Sequence, residues 1–486
     1  MRVESPPDAP PSPAESTESM DPGGGARDDL RTFCYWMLGA VALGLMVRLA
    51  YVYGWKWDQP LAVANSHGFG GDAGYYHTQA NAIAEGLWFV DPWSWAFRKT
   101  GVLPGAEHPP LYTLFLSIPS SLGFQTFREH VVAGTILGSI TCGVTGFAGR
   151  AVAGRRVGII AAFLAAVYAN LWINDALVMS ETITALLAAF VIWFAYRFWR
   201  EPTMRNALLF GFSCGLAALT RAEFVFFFPI VALPLVIRAR GLATPERVKR
   251  GVAIVCLAAL PVLPWVIFNM VRFNNPVTLS TGGDFTLSNT YCPTTFHGDK
   301  LGWWDLTCMD DRWAIKGDES DQANHFREEG LDYLSDNLGR FPVVLAARVG
   351  RMWEVYRPFQ KLNLDSFEQG RNPFAVTQIA LAQFYVLFIL AVVGLVMLRR
   401  RKTIIYPLIG LAITCTIAAM IAFGGTRYRV PAEIAIVIAA AVPLAALLDR
   451  WFPPRRGATP TGGEEPADGG PTITPDDDRE PEPVAT

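Results

Sequence analysis

Residues 109–123 read PPLYTLFLSIPSSLG, and whether this stretch crosses a membrane decides the arrangement of everything around it. It is apolar, but at about 1.5 Å of rise per helical residue it falls short of a hydrocarbon core of about 30 Å. Pro119 also interrupts it. The charges along the chain decide how to treat it. Arg150, Arg155 and Arg156 form one basic cluster, Arg197, Arg200 and Arg205 a second, the residues from Arg238 to Arg250 a third, and Arg399, Arg400, Arg401 and Lys402 a fourth. Short loops rich in Lys and Arg stay cytoplasmic. If 109–123 crossed, the first three clusters would alternate to the wrong side. If it lies on the outer surface, every cluster falls inside. We therefore read 109–123 as a juxtamembrane helix and not a span.

The rest of the chain follows from that choice. Of 486 residues, 51% are hydrophobic and only 17% charged, where a soluble protein carries nearer a quarter charged. The apolar residues come in long charge-free runs, so the sequence predicts an all-α, multi-pass transmembrane helical bundle. The spans fall at about 32–54, 129–152, 157–174, 177–198, 203–220, 223–238, 251–272, 376–398, 403–422 and 430–448, about ten in all, with both ends cytoplasmic. Residues 1–31 and 449–486, rich in Pro, Gly, Ser and acid, are expected to be disordered. The apolar run after 1–31 is too long for a cleaved signal peptide. Between the ends lie an N-terminal transmembrane module at 32–272, with its outer loop at 55–128, an extracytoplasmic loop region at 273–375, and C-terminal transmembrane helices at 376–448. A net charge of −2 gives no reason to expect a nucleic-acid partner. No Walker loop or GxGxxG occurs, so no nucleotide cofactor is expected.

The outer loop contains GDAGYYHTQANAIAEGLWFVDPWSWAFRKTGVLPGAEHPPLY, Gly71–Tyr112, with two acids, Asp72 and Glu107, two histidines, His77 and His108, and Trp88, Trp93 and Trp95 between them. Small apolar and polar residues alternate at helical spacing from Tyr75 to Leu87, which predicts a helix lying along the bilayer, apolar face down. Carboxylates held there are what a reaction on a lipid-borne substrate needs. A solvated loop with headgroup-anchoring aromatics accounts for the same composition. In 273–375, the turn-rich NNPVTLSTGGDFTLSNTY precedes a helical periodicity from about Asp321 to Tyr356, expected to pack on the outer loop or the membrane surface. Trp303, Trp304 and Trp313 either stack on sugar faces or anchor an interface; Asp310 and Asp311 either bind a cation or form a solvated turn. Seven cysteines show no CxxC. Cys292 and Cys308 share this polar insert and pair if it faces an oxidising compartment, or else stay free thiols.

Charges near a bilayer either snorkel or serve a function. Asp175, Glu181, Arg221, Glu223, Arg272, Arg427 and Arg429 all sit at helix ends that this topology turns toward the face carrying Asp72. Arginine grips phosphate by planar, paired hydrogen bonds, and a nearby carboxylate takes the proton of an attacking hydroxyl. Any one arginine is equally well an end-of-helix anchor; their shared side is the signal. The alternative is a transporter or flippase of lipid-linked sugars, which needs polar residues along the middle of its spans.

These residues resemble the motifs of the GT-C glycosyltransferases, in particular the protein O-mannosyltransferases and the aminoarabinose transferases. The resemblance covers roughly 32–448 and runs through Asp72 with Tyr75 and Tyr76, then EHPPLY from Glu107 to Tyr112, Arg128, the pair Ser180 and Glu181, LTR ending at Arg221, and RYRVP from Arg427 to Pro431. It implies an inverting sugar transfer from a polyprenyl-phosphate donor to a glycan, lipid or protein acceptor, outside the plasma membrane of a bacterium. It implies Asp72 as base on the acceptor hydroxyl. Tyr75, Tyr76, His77, Glu107, His108, Arg128, Glu181, Arg221, Arg427 and Arg429 become candidates for substrate binding. Asp72, Glu107 and His108 become candidates for a divalent cation. Two features depart from the mannosyltransferase pattern: the first acid is single, in DAG, and the insert has no sugar-binding repeat.

Overall fold

The structure, a computed structural model, describes residues 22–57, 71–98, 102–239, 241–309 and 312–452. Parts of three expectations lie outside them: the 1–31 end as far as residue 21, the tail from 453, and Asp310 with Asp311. The side chain of Trp313 is likewise not described. The chain divides into one compact unit ending at Ala446 and a second from Leu447, described as far as Phe452.

Helix α1 spans Pro22–Tyr51, reaching back into residues expected to be disordered, and continues as a π turn to Lys56. After it come α2 (Gly71–Ala84), α3 (Leu111–Ser121) and α4 (Phe127–Ala153). A bent pair, α5 (Arg155–Val167) and α6 (Ala169–Asp175), leads to α7 (Glu181–Arg200) and α8 (Met204–Ala218). Helices α9 (Leu233–Ile237) and α10 (Thr244–Arg272) close the N-terminal half. The insert folds as α11 (Gly282–Thr290), α12 (Pro293–Phe296), α13 (Glu319–Asp336), α14 (Phe341–Met352) and α15 (Pro358–Phe367). The last three are α16 (Phe374–Arg400), α17 (Tyr406–Ile421) and α18 (Val430–Trp451).

Six stretches among the described residues are long and apolar enough to cross a membrane: Asp29–Lys56, Phe127–Ala153, Glu181–Arg200, Thr244–Arg272, Phe374–Arg400 and Thr426–Trp451. The pair α5 and α6, bent by 55°, makes up to seven. The other three of the ten expected spans fall on shorter apolar helices, so the count of ten is not confirmed. At 203–220 the helix α8 has 15 residues, about 22 Å of rise. The apolar stretches Ala222–Ile237 and Tyr406–Ile421 are short as well. Hydropathy alone does not set their place, because a helix packed among others is as apolar as one in lipid. Gly211 and Gly215 show how tightly α8 is held: a Cβ on either would lie 2.4 and 2.3 Å from backbone oxygens of Ile254 and Ala258 on α10. Conversely, α10 and α16 expose rows of large apolar residues, among them Val252, Leu263, Ile267, Val386 and Ile389. Such rows face lipid in a multi-pass membrane protein.

Helix α4 starts in a capping box, the Thr126 side chain and Glu129 bonding each other's backbone N–H. The preceding α3 has 11 residues, about 16 Å, and ends in a Gly123 turn at φ +93°. It packs on α2, with Tyr112 edge-on to Tyr76 at 5.0 Å. That packing corrects the expected surface-lying amphipathic helix. Tyr75 and Tyr76 are each only 1% exposed, and Ala73, Gln79, Ala80 and Ala82 are buried too. Helix α2 is thus enclosed by protein, which fixes the direction of its first residue pair, Gly71 and Asp72.

Candidate active site

Asp72 stands in the first turn of α2, where the helix dipole favours an anion. Glu181 opens α7 in the same way. Arg221 follows the end of α8, and Arg427 lies in the 3-10 turn Thr426–Arg429 just before α18. These four helix ends meet. Arg427 donates from Nε to Glu181 Oε1 at 2.8 Å, and its Nη2 lies 2.7 Å from Asp72 Oδ2. Arg221 Nη1 donates to the same Glu181 oxygen at 2.8 Å, and its Nε to Glu223 at 2.5 Å. The Tyr428 ring lies 4.8 Å beneath the Arg221 guanidinium.

Glu107 and His108 reach the same place from an extended segment. Thr281 N–H donates to Ala106 O at 2.9 Å and Gly282 N–H to Glu107 O at 3.0 Å. A Cβ at Gly282 would lie 2.3 Å from the Glu107 carbonyl, so only glycine permits this approach. The Tyr75 hydroxyl accepts the Glu107 N–H at 3.1 Å. His108 stacks on Tyr76 at 4.7 Å, and its Nε2 lies 3.6 Å from Asp72 Oδ1, too far for a hydrogen bond. Arg312 pairs with Glu107 Oε2 at 3.1 Å. Asp72, Glu107 and His108 bring ligand atoms within 4.8 Å of one another.

Asp72, Tyr76, Glu107, His108, Arg221, Glu223, Arg312, Arg427 and Tyr428 line one cavity of about 860 Å³, whereas Glu181 and Tyr75 do not line it. Burial alone would raise the Asp72 carboxyl; the Arg427 guanidinium and His108 more than reverse this, so Asp72 is held well below the usual carboxylate range. Burial alone would lower His108, and the Asp72 carboxylate more than offsets it, so its pKa is raised. Behind Glu107, Glu319 is pushed up to about 7, first by burial, against the pull of Arg312 and with the push of Glu107 and Asp91. Glu319 Oε1 accepts the Ala106 N–H at 2.9 Å and the Thr281 hydroxyl, so it ties the Glu107 segment to the insert.

Of the catalytic and substrate-binding candidates from the sequence, Asp72, Tyr76, Glu107, His108, Arg221 and Arg427 line the cavity. Five others do not. Glu181 is buried and reaches the cavity only through its bonds to Arg221 and Arg427. Tyr75 is buried behind it, holding Gln79 and the Glu107 backbone. His77 turns away to His130, the two Nδ1 atoms 3.1 Å apart. Arg128 lies outside, bonded to the Trp57 carbonyl at 2.9 Å. Arg429 is fully buried, with Nε on Glu433 at 2.6 Å. Residues that sequence reasoning passed over are Arg312, Glu319 and Glu368, all from the insert. The acidic start of α13, capped by Asp318, was the one local signal for Glu319. Cys292 and Cys308 form a disulfide in the structure.

Residues 107–265 match the family model of dolichyl-phosphate-mannose-protein mannosyltransferases, a stretch that includes Glu107, His108, Glu181 and Arg221 but neither Asp72 nor Arg427. No curated protein sequence matches the chain. Among solved structures, it resembles the Archaeoglobus fulgidus oligosaccharyltransferase tethered with an acceptor peptide containing the NVT sequon, at 15% identity and TM-score 0.50, over 86% of this chain and 50% of that one. The chain thus spans about half the length of that enzyme. The archaeal oligosaccharyltransferase AglB from Archaeoglobus fulgidus, in complex with an inhibitory peptide and a dolichol-phosphate, gives 16% identity and TM-score 0.45 over 87% and 53%. ArnT from Cupriavidus metallidurans bound to undecaprenyl phosphate gives 15% and 0.37 over 83% and 78%. The last two superpositions are too loose to carry an argument. At these identities the likeness is one of fold alone, a helical membrane bundle.

Proposed function

We propose that this protein is a membrane glycosyltransferase that moves a sugar from a polyprenyl-phosphate-linked donor to an acceptor hydroxyl, with inversion, on the outer face of a bacterial plasma membrane. The observation that carries the reading is Arg427, set between Asp72 at 2.7 Å and Glu181 at 2.8 Å in the wall of one cavity. A guanidinium that can leave a carboxylate for a phosphate ties donor binding to base activation. In the resting pair Asp72 is ionised, the form a base needs, yet its lowered pKa makes it a weak one. When the donor phosphate draws Arg427 to itself, Asp72 loses part of that pairing and gains basicity. Asp72 then takes the acceptor proton as the hydroxyl oxygen bonds to the anomeric carbon. The anomeric C–O bond to phosphate breaks, and its electron pair leaves with the phosphate. Arg427 and Arg221 stabilise the charge that grows there.

Around the cavity Asp72, Glu107, Glu181 and Glu223 set carboxylates against the guanidiniums of Arg221, Arg312 and Arg427. An incoming phosphate adds negative charge to a site already rich in it. A divalent cation fits this balance, with Asp72, Glu107 and His108 as its ligands; two carboxylates and an imidazole are a donor set that Zn or Mn accepts. Such an ion would supply positive charge beside the leaving phosphate. The transporter reading is less well supported, because buried charges between the spans are closed pairs: Arg48 with Asp175 at 2.6 Å and Arg429 with Glu433 at 2.6 Å.

The test is purified protein with radiolabelled polyprenyl-phosphate sugars and candidate acceptors, comparing the native chain with Asp72→Asn. Transfer that falls about 10²–10⁴-fold in the variant is the expected result for a lost base. No transfer from any donor, or full activity in Asp72→Asn, would overturn the reading.

A further inference from the structure

Part of the cavity lining is left unused by this chemistry. The insert supplies Trp304, Asn289 and the neighbouring pair Glu368 and Gln369, and the Phe423 ring contacts both Trp303 and Trp304. Adjacent in sequence, those two tryptophans have opposite fates. Trp303 is fully buried and donates its indole N–H to Glu368 Oε2 at 2.6 Å. Trp304 is only partly buried and lines the cavity. The Cys292–Cys308 disulfide closes the loop that carries both, and Asp305 N–H donates to Asn289 O at 2.8 Å, so indole and amide are held side by side. Asn289 and Gln369 are partly buried, and among the described residues neither side-chain amide has a hydrogen-bond partner.

We infer that this part of the cavity lining binds a carbohydrate, and that the acceptor is therefore a glycan and not a protein side chain. The inference rests on the transferase reading above. The chemistry is specific to the ligand class. One face of a pyranose or furanose ring is a patch of C–H bonds that lies flat on the negative face of an indole. The hydroxyls around that ring's edge are each donor and acceptor. A side-chain amide offers both functions at once, and an ionised carboxylate accepts from two neighbouring hydroxyls. A cavity wall that offers an indole, two unengaged amides and the Glu368 carboxylate thus matches a sugar more closely than a peptide backbone, which would seek an extended row of main-chain partners. The fixed wall also explains the place of the disulfide: it holds stacking surface and amides in one geometry before a ligand arrives, which lowers the ordering cost of binding.

The experiment is saturation-transfer NMR and tryptophan-fluorescence titration of the full chain in nanodiscs. The probes are linear manno-, gluco- and arabino-oligosaccharide methyl glycosides of two to four sugars, with short Ser/Thr peptides alongside. At least one saccharide series is expected to bind. Trp304→Ala, and separately the double variant Asn289→Leu with Gln369→Leu, should weaken it about tenfold each. Trp304→Phe, which keeps an aromatic face, should lose less affinity than Trp304→Ala; if Trp304→Ala fails to fold, the double amide variant carries the test. Saccharide binding untouched by these variants overturns the inference. So does Asp72-dependent transfer to a peptide hydroxyl with no saccharide bound, an outcome that leaves the transferase reading intact. Saccharide binding that these variants weaken, without transfer from any donor, would uphold the subsite and defeat the transferase reading instead.

Discussion

At the scale of single residues, the site depends on how few groups satisfy how many charges. Glu181 is 1% exposed at its side chain and accepts from both Arg221 and Arg427. Removing Arg427 leaves it one partner, and truncating a partner of a buried ion pair costs about 3–5 kcal/mol. Arg427→Ala should therefore lower the unfolding temperature as well as abolish transfer, whereas Arg427→Lys keeps the charge but loses the planar fork. The expected result for Arg427→Lys is near-native stability with a donor KM raised at least about tenfold, read from initial rates against polyprenyl-phosphate sugar. Glu319 offers a second check. Its folded pKa of about 7 lies above its ordinary value of 4.5. Between those values the folded state binds more protons than the unfolded one, so stability falls as pH rises from about 4.5 to about 7, at about 1.4 kcal/mol per unit while Glu319 alone differs. Thermal unfolding across that window should show this slope in the native chain and a flatter one in Glu319→Gln.

At the scale of elements, the two halves of the site were unequally legible. Asp72, Glu107, His108, Glu181, Arg221 and Arg427 stood out because they sit at the ends of long apolar runs, and helix length fixes the depth of a helix end. Which way a side chain turns from that end is set by packing. His77 and Arg128 lie beside such an end, and only contacts with His130 and Trp57 reveal that they leave the cavity. The insert was the least legible. Arg312 meets Glu107 across 205 positions of sequence, and Glu319 meets Ala106 across 213. No local periodicity carries such information. The span count is the least settled by sequence for a related reason, since α8 and α17 are apolar but only 15 and 16 residues long. A prediction belongs here. The Cys292–Cys308 bond closes a separation of 16 residues, and opening a loop of that size costs about 3 kcal/mol in the chain-entropy account. Cys292→Ser should make the segment between the two positions a site of proteolytic cleavage that the native chain resists, seen as a new fragment on limited digestion.

At the scale of the whole molecule, the account places the acids of the N-terminal half and the guanidiniums of the C-terminal half on one side of one membrane. Trp88 and Leu122 flank α3 and are 62% and 71% exposed. Single cysteines at these two positions, in a chain whose other exposed thiol Cys256 is replaced, should both react with an impermeant maleimide from the outer side of intact cells. Opposite reactivity would make α3 a span. The central claim itself is that Arg427 is shared between Asp72 and the phosphate of a lipid-linked donor. The measurement that tests it most directly is an experimental structure of the protein with a polyprenyl phosphate bound. The account predicts phosphate oxygens within about 3 Å of the Arg427 guanidinium, with Arg221 beside it and Asp72 facing the open side of the cavity. A phosphate bound away from Arg427, with the Asp72 pair undisturbed, would contradict it.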